Sequence, residues 1–223
     1  MHGHGESAGQ RYHVNMRQWV ADIQAAVEFL LKHPRIDGNR IAAFGLSSGG
    51  TAILEAALVE PRLKSLVALD ATVRNSLSLP LSLMLKFFVL LGKFNKWLTR
   101  RDLRVPLAKL GEFKVASDPE INRQLQNDPK AVAAFMSFPF PGATEAFFVN
   151  TIERVAGIKA PTLVIWGEDD KIDPPETARL LYEALSCKKQ LHIIPGNGHL
   201  GHLDRNKSQV FALTADWVLQ TLL

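Results

Sequence analysis

Two short runs of this chain, 66–69 and 161–166, are almost wholly apolar along their length. A strand has this composition when helices cover both faces of a parallel sheet, whereas a strand with one solvated face alternates between apolar and polar residues. Other segments show apolar residues at helical spacing instead. The expected strands are at 40–44, 66–69, 161–166 and 191–194, and the expected helices are at 16–32, 51–59, 175–185 and 209–222. We therefore expect an α/β fold, a mostly parallel sheet flanked by helices.

The composition sets limits on the function. A chain of 223 residues with 47% hydrophobic and 22% charged residues can bury one large core. The single Cys187 excludes an intramolecular disulfide and a thiolate zinc cluster, and it favours a reducing compartment. The first residues contain no apolar stretch after a basic one, so we expect no signal peptide and a cytoplasmic protein. The net charge of +4 is too small to indicate a nucleic-acid partner.

Residues 72–158 interrupt the alternation of strands and helices, showing helical patterns and no clear strand. We expect a core made of 1–71 and 159–223 and a helical cap at 72–158. The cap's first part, 76–98, is strongly apolar, but charged residues leave no run of about 18 uncharged positions that would span a bilayer. Between 86 and 114 the chain carries eight basic residues against two acidic ones. The cap is expected to be a lid packed on the sheet, and the alternative is a lid whose apolar side also meets an anionic lipid surface.

The pentapeptide Gly45-Leu46-Ser47-Ser48-Gly49 lies between an expected strand and an expected helix. A serine at such a sharp turn is exposed at the carboxyl end of the sheet, and the flanking glycines allow the bend. Ser47 is therefore a candidate nucleophile. The alternative is a turn of small residues that only packs a helix against a strand.

A serine hydroxyl needs an imidazole to accept its proton and a carboxylate to orient that imidazole. Asp170 follows the expected strand at 161–166, and His199 follows the one at 191–194. Because loops after parallel strands gather at one edge of the sheet, we expect these side chains and Ser47 to share one pocket.

These motifs resemble those of the α/β-hydrolase superfamily, nearest its lipases, esterases and serine aminopeptidase-like members, over residues 2–222. The family's acid loop, G-x-x-D-x-x-x-P, and its histidine loop, G-H, match in register at Gly167, Asp170, Pro174, Gly198 and His199. The resemblance implies a catalytic triad of Ser47, Asp170 and His199, with no metal and no cofactor. It also implies that the backbone N–H of Ser48 donates to the oxyanion.

Other residues compete for these roles. Asp169, Asp173 and Asp70 each stand near the end of a strand and are rival candidates for the acid. His202 is a rival to His199, although support of the loop or the pocket wall is the expected role. His192 lies within an expected strand and is interpreted as structural.

The apolar cap indicates a substrate with a hydrophobic acyl or aromatic group. We expect Leu46, Phe87 and Phe88 to contact it, in a small-molecule ester or lipid-like substrate. The expected activity is carboxylic ester hydrolysis, esterase-like or lipase-like. The alternatives are an aminopeptidase or amidase of the same fold, and an inactive truncated hydrolase that acts as a binding module. The oligomeric state is not predicted.

The segment 2–7, His-Gly-His-Gly-Glu-Ser, resembles the family's R-G-H-G-x-S turn, which follows its fourth strand. By this resemblance the family's first three or four strands, with the loop that carries the second oxyanion donor, have no counterpart in the sequence. The nucleophile strand is then an edge strand, and we expect it to aggregate or to pair with another chain. The alternative is that the His-Gly pairs of this segment are themselves the oxyanion loop.

Overall fold

The computed structural model describes residues 1–109 and 114–223. Its helices are α1 (Met16–Leu31), α2 (Ser48–Ala57), α3 (Leu79–Thr99), α4 (Pro119–Asn127), α5 (Pro129–Met136), α6 (Pro175–Ala184) and α7 (Lys207–Leu222). Its strands are β1 (Ala42–Leu46), β2 (Ser65–Leu69), β3 (Leu103–Val105), β4 (Phe138–Phe140), β5 (Thr162–Gly167) and β6 (Lys189–Ile194). Short 3₁₀ turns complete the path.

Four strands form one parallel sheet in the order β1-β2-β5-β6. Alternate residues of a strand point to opposite faces, and here both faces are covered. Leu66 and Ala68 of β2 belong to the core shared with α1, α2 and α6. Val67 and Leu69 belong to a second core that includes Val210 and Trp217 of α7. The expected α/β architecture, a parallel sheet flanked by helices, is confirmed.

The segment between β2 and β5 differs from the sequence expectation in one respect. No strand was expected there, yet β3 and β4 form a two-stranded antiparallel sheet. That expectation was wrong because each strand has only three residues and β4 has a proline at its centre, Pro139, which is typical of an edge and not of a strand interior.

The long helix α3 packs closely on this small sheet. A Cβ atom at Gly92 would lie 2.5 Å from the carbonyl oxygen of Phe140, so only glycine allows this approach. Leu85 of α3 joins the buried cluster formed by Val105, Leu107 and Phe140. Within the described residues, no helix is long and apolar enough to cross a bilayer.

Strand β1 lies at one end of the main sheet, as the sequence interpretation expected, and among the described residues no strand pairs with its outer side. Phe44, at its centre, is 45% exposed, whereas every residue of β2 is buried. The strand contains no charged residue and no proline, the usual features that keep an edge from pairing with another chain. The strand expected to be buried at 40–44 is therefore only partly buried, because its position at the edge leaves one side open.

We expect Phe44→Lys to reduce self-association of the chain. A charge on an exposed apolar edge opposes pairing and costs the folded state little, on the order of 0.5 kcal/mol. Sedimentation velocity over a concentration series measures the effect, and Phe211→Lys on α7, where the phenylalanine is 53% exposed, is the matched control. Equal loss of association in both variants would point to net charge and not to the edge.

Candidate functional site

Ser47 occupies a strained turn between β1 and α2. Its backbone has φ 52° and ψ −125°, a conformation that costs a residue with a side chain about 1–3 kcal/mol. Hydrogen bonds hold it there: the Ser47 N–H donates to Leu69 O at 3.0 Å, and Thr51 N and Thr72 N donate to Ser47 O at 3.1 and 3.3 Å. The turn places the serine at the carboxyl edge of the sheet, half-buried.

Two glycines make this turn possible. A Cβ at Gly45 would lie 2.3 Å from Gly49 O, and a Cβ at Gly50 would lie 2.6 Å from the Ala71 Cβ. A Cβ at Gly49 would meet no atom of the described residues within 4 Å. Steric crowding therefore requires glycine at positions 45 and 50. Within the pentapeptide 45–49, only Gly45 is required for this reason.

Asp170 and His199 contact each other at the ends of β5 and β6. The Asp170 Oδ2 lies 2.8 Å from the His199 Nδ1, and both residues are buried. The other carboxylate oxygen, Oδ1, accepts from the N–H groups of Ile172 and Asp173 at 2.8 and 3.0 Å. Since the carboxylate faces Nδ1, the neutral imidazole carries its proton there and leaves Nε2 free to accept one.

The pKa of His199 is the result of opposing influences. Burial acts to lower it, but the hydrogen bond to Asp170 and the negative charges of Asp170, Asp70 and Asp173 outweigh burial and raise the pKa above 6.5. The imidazole is thus a stronger base than a free histidine, and it is neutral only above that raised pKa.

Within the described residues, the Ser47 hydroxyl is not hydrogen-bonded to this pair. Its Oγ lies 3.4 Å from Thr72 Oγ1, and among the hydrogen bonds of the described residues none joins it to the His199 ring. In proteins without substrate such contacts are often long and tighten when substrate binds. Proton transfer from Ser47 to His199 requires these two groups to come within hydrogen-bond distance of each other.

The rival carboxylates have other partners. Asp173 Oδ2 accepts from Thr72 Oγ1 at 2.7 Å, and burial raises the pKa of Asp173 to about 6. Asp70 accepts from Gly167 N at 2.8 Å and Gly201 N at 3.2 Å. Burial, with the nearby Asp170 charge, raises the pKa of Asp70 to about 8. Asp169 accepts from Ser117 Oγ at 3.3 Å. Each of the three has hydrogen-bond partners other than His199, and Asp170 is the carboxylate hydrogen-bonded to His199.

The other histidines near this edge make few contacts. His202 Nδ1 is buried without a hydrogen-bond partner in the described structure, and burial lowers the pKa of His202. His192 Nε2 lies 3.5 Å from Gln190 Oε1 on β6. Among the described residues, neither ring has a carboxylate partner comparable to Asp170.

Sequence reasoning missed Asp204, which fixes the loop of His199. Its carboxylate accepts four backbone N–H bonds, from Gly198 at 2.6 Å, Ser117 at 2.7 Å, and Asp118 and Arg205 at 2.9 Å. Burial acts to raise its pKa, but these hydrogen bonds outweigh burial and lower it. Asp204 thus ties the histidine loop to the segment before α4. A signal was available in the sequence, an aspartate five residues after His199, but its partners are backbone groups far along the chain.

We expect Asp204→Asn to lower the free energy of unfolding by about 2–4 kcal/mol at pH 7, because an amide nitrogen would face N–H donors. The pKa of Asp204 is lower in the folded state than in the unfolded state. The difference in free energy of unfolding between wild type and variant is therefore complete above the unfolded pKa of about 3.9, and it is lost as the pH falls through the folded-state pKa. Urea unfolding at pH 7 and at pH 3 measures it. Asp216→Asn is the control, because Asp216 is exposed on α7. An equal loss of stability in both variants would contradict the role of Asp204 in fixing the histidine loop.

The His-Gly segment lies against α1. The His4 ring packs edge-on against Trp19 at 5.1 Å between centroids, and Trp19 Nε1 donates to His2 O at 3.1 Å.

Ser48 is the first residue of α2, and the first N–H groups of a helix have no partner within it. The N–H of Ser48 is therefore available to an oxyanion beside Ser47.

The expected substrate-contact residues on α3 lie in different surroundings. Phe87 is 57% exposed, and the Phe88 ring packs on Phe140 at 5.9 Å between centroids. A cleft of about 500 Å³ lies beside this helix and is lined by Arg74, Asn75, Lys86, Phe148, Val149, Asn150, Ile152 and Glu153. The cleft is open and mixed in polarity, and its lining does not include Ser47 or His199.

Within the described residues, no group of three His, Cys, Asp or Glu side chains could hold a metal ion.

The chain is similar to known proteins over most of its length. The family model described as serine aminopeptidase, S33, matches residues 1–206. A monoacylglycerol lipase of Mycolicibacterium smegmatis is 24% identical over 223 residues, covering 99% of this chain and 76% of the lipase. A monoacylglycerol lipase from Paleococcus ferrophilus superposes with a TM-score of 0.75 at 24% identity, covering 99% of this chain and 81% of its own. A thermophilic esterase from Thermogutta terrifontis gives 0.68 at 20% identity, covering 100% and 79%.

Proposed function

Because the chain belongs to the serine aminopeptidase S33 family of the α/β-hydrolase superfamily, we propose that it hydrolyses carboxylic esters through an acyl-enzyme on Ser47. The observation that carries this proposal is the buried Asp170–His199 pair, which stands at the same sheet edge as a serine in a strained turn. Folding alone does not need this combination, since a buried ion pair contributes little net stability.

In the proposed reaction Ser47 Oγ attacks the ester carbonyl while His199 Nε2 accepts its proton. Asp170 holds the imidazole in the required tautomer and stabilises the imidazolium. His199 then protonates the leaving alcohol, and an acyl group remains on Ser47. Water attacks the acyl-enzyme with His199 again as base, which releases the acid. The backbone N–H of Ser48 donates to the oxyanion in both halves.

The proposed substrate has a hydrophobic acyl group. Support comes from the monoacylglycerol lipases and the esterase among the similar proteins, and from the apolar segment between β2 and β5. We assign residues 72–158 to a cap over the site, with Leu46 and Phe88 contacting the acyl group, whereas Phe87 is 57% exposed and lies on the solvent side of α3. An amide-cleaving enzyme is the second candidate, because the matching family model carries the description serine aminopeptidase and the same triad cleaves amides.

A fluorophosphonate probe tests the proposal. The folded chain is treated, digested, and its peptides are analysed by mass spectrometry; the expected adduct is on Ser47. The heat-unfolded chain is the control, since activation of the serine requires the folded site. A folded chain without an adduct, or with the adduct on another serine, would support the non-catalytic alternative. Turnover of nitrophenyl esters against the matching anilides then separates esterase from amidase.

We further propose that this hydrolase takes its substrate at an anionic lipid surface, through helix α3. Most of the exposed large side chains of α3 lie along one face of the helix, at spacings of three or four residues from Leu79 to Trp97: Leu79, Leu83, Phe87, Leu90, Phe94 and Trp97, with Leu98 four residues after Phe94. Trp97 is 70% exposed. The exposed Lys86 and Lys93, seven residues apart, flank this face, and Arg100, Arg101 and Arg104 follow it. An apolar face bordered by cations matches a surface of anionic lipid and not a neutral one.

We expect the double variant Phe94→Ser, Trp97→Ser to bind anionic vesicles about 100-fold more weakly, because two large side chains no longer enter the lipid. Sedimentation with vesicles of phosphatidylglycerol and phosphatidylcholine, at low and high salt, measures binding. Phe29→Ser, where the phenylalanine is 71% exposed on α1, is the control. Equal binding to pure phosphatidylcholine, or no weakening in the double variant, would refute the lipid surface.

A further inference from the structure

Thr72 stands between the candidate nucleophile and a buried carboxylate that the proposed triad does not use. Its Oγ1 lies 3.4 Å from Ser47 Oγ and 2.7 Å from Asp173 Oδ2. The backbone of Thr72 is fixed as well: its N–H donates to Ser47 O, and its carbonyl accepts from the Thr51 hydroxyl. The residue follows β2, the strand next to β1, so the two oxygens meet across neighbouring strand ends.

The chemistry of the three groups sets the direction of the hydrogen bonds. An ionised carboxylate only accepts, so the short contact to Asp173 takes the single proton of Thr72. The Thr72 oxygen can then only accept from Ser47. The Ser47 proton is therefore directed at Thr72, and the separation of 3.4 Å makes this a weak contact that substrate can break.

We propose that Thr72, held by Asp173, is a positioning residue that keeps the Ser47 side chain in one rotamer, at the sheet edge that Ser47 shares with His199. This inference rests on the proposed function, since it concerns the same nucleophile. Thr72 and Asp173 make no direct contact with the substrate, and by contact they act on the reacting atoms only through Ser47. Without the Thr72 oxygen, Ser47 samples the three staggered rotamers, and fewer encounters with substrate begin in the rotamer from which Ser47 reaches His199.

The pair also acts on His199 through charge. Three carboxylates raise the pKa of His199: Asp170, Asp70 and Asp173. The groups that act on Asp173 are Thr72, His199 and Asp170, and the Thr72 hydrogen bond lowers the Asp173 pKa against the effect of burial. Removal of that bond leaves Asp173 less ionised, and the His199 pKa then falls. Loss of the Thr72 hydroxyl should therefore move the acid limb of the rate profile to lower pH, which a merely structural role would not do.

The experiment compares Thr72→Val, which keeps the volume of the side chain, with Thr72→Ser, which keeps the hydroxyl. We expect Thr72→Val to lower kcat for a nitrophenyl ester three- to tenfold with KM changed less than twofold, and to move the acid limb of kcat/KM to lower pH. Thr72→Ser should restore both to near wild type. Thr177→Val is the matched control, because it removes another buried threonine hydroxyl, 3.3 Å from Ser76 Oγ.

The outcomes separate the two proposals. If the wild-type chain gives no fluorophosphonate adduct on Ser47, the proposed function fails. If Ser47 is labelled but Thr72→Val keeps the wild-type kcat and pH profile, or matches Thr177→Val, only the role of Thr72 is overturned. Should Thr72→Val not fold, Asp173→Asn decides: an unmoved acid limb with wild-type kcat overturns the inference, and an acid limb at lower pH with reduced kcat supports it.

Discussion

Ser47→Ala is expected to lower kcat for a nitrophenyl ester about 10⁵–10⁶-fold and to abolish the fluorophosphonate adduct. A serine nucleophile and its base act as a unit, so that loss of the serine costs about as much as loss of the whole triad. The residual rate would come from binding and from the oxyanion donor alone. The measurement is turnover of the ester by equal amounts of folded wild type and variant, with folding checked by circular dichroism.

The neighbouring Ser48→Ala is the matched control. It also removes one hydroxyl at the start of α2, but it keeps the backbone N–H that we assign to the oxyanion, so its kcat should stay within about threefold of wild type. Turnover that survives Ser47→Ala while Ser48→Ala is inactive would move the nucleophile by one residue. Turnover that survives both would place the chemistry elsewhere.

Much of the core could be predicted because the relevant signals are local. The strands β2 and β5 are recognisable from their unbroken apolar runs, and the structure covers both of their faces with helices. The helix α1, expected at 16–32, spans Met16–Leu31 with Trp19, Ile23 and Val27 buried. Local pattern is sufficient for such elements, since tertiary contacts and local preference agree.

Other features could not be predicted because they depend on contacts between distant parts of the chain. The partners of Asp204 are backbone N–H groups as far as 87 residues away, and a backbone group has no residue signature. The link from Thr72 to Asp173 spans 101 residues between two common side chains. The pentapeptide indicated two glycines as necessary, but the packing against Ala71 places the second requirement at Gly50. The short strands β3 and β4 are fixed by the cluster around Phe140 and not by their own composition.

Asp170→Asn is expected to lower kcat about 10⁴-fold while leaving the fold and the labelled residue unchanged. The amide oxygen can keep the two backbone N–H bonds that Oδ1 accepts now. The amide nitrogen would then face His199 Nδ1 and donate to it, which moves the imidazole proton to Nε2. In that tautomer the ring cannot accept the Ser47 proton, so the adduct on Ser47 should form far more slowly but at the same position.

The rival acids make this prediction specific. Asp169→Asn changes a carboxylate in the same loop that accepts from Ser117 and not from His199, and its kcat should stay within about threefold of wild type because exposed loop charges have small effects. Asp70→Asn should lower stability instead, because Asp70 is fully buried and accepts from Gly167 and Gly201. If Asp70→Asn loses about 10⁴-fold in kcat with its fold intact while Asp170→Asn does not, the acid is the carboxylate after β2. The contact observed between Asp170 and His199 would then be structural.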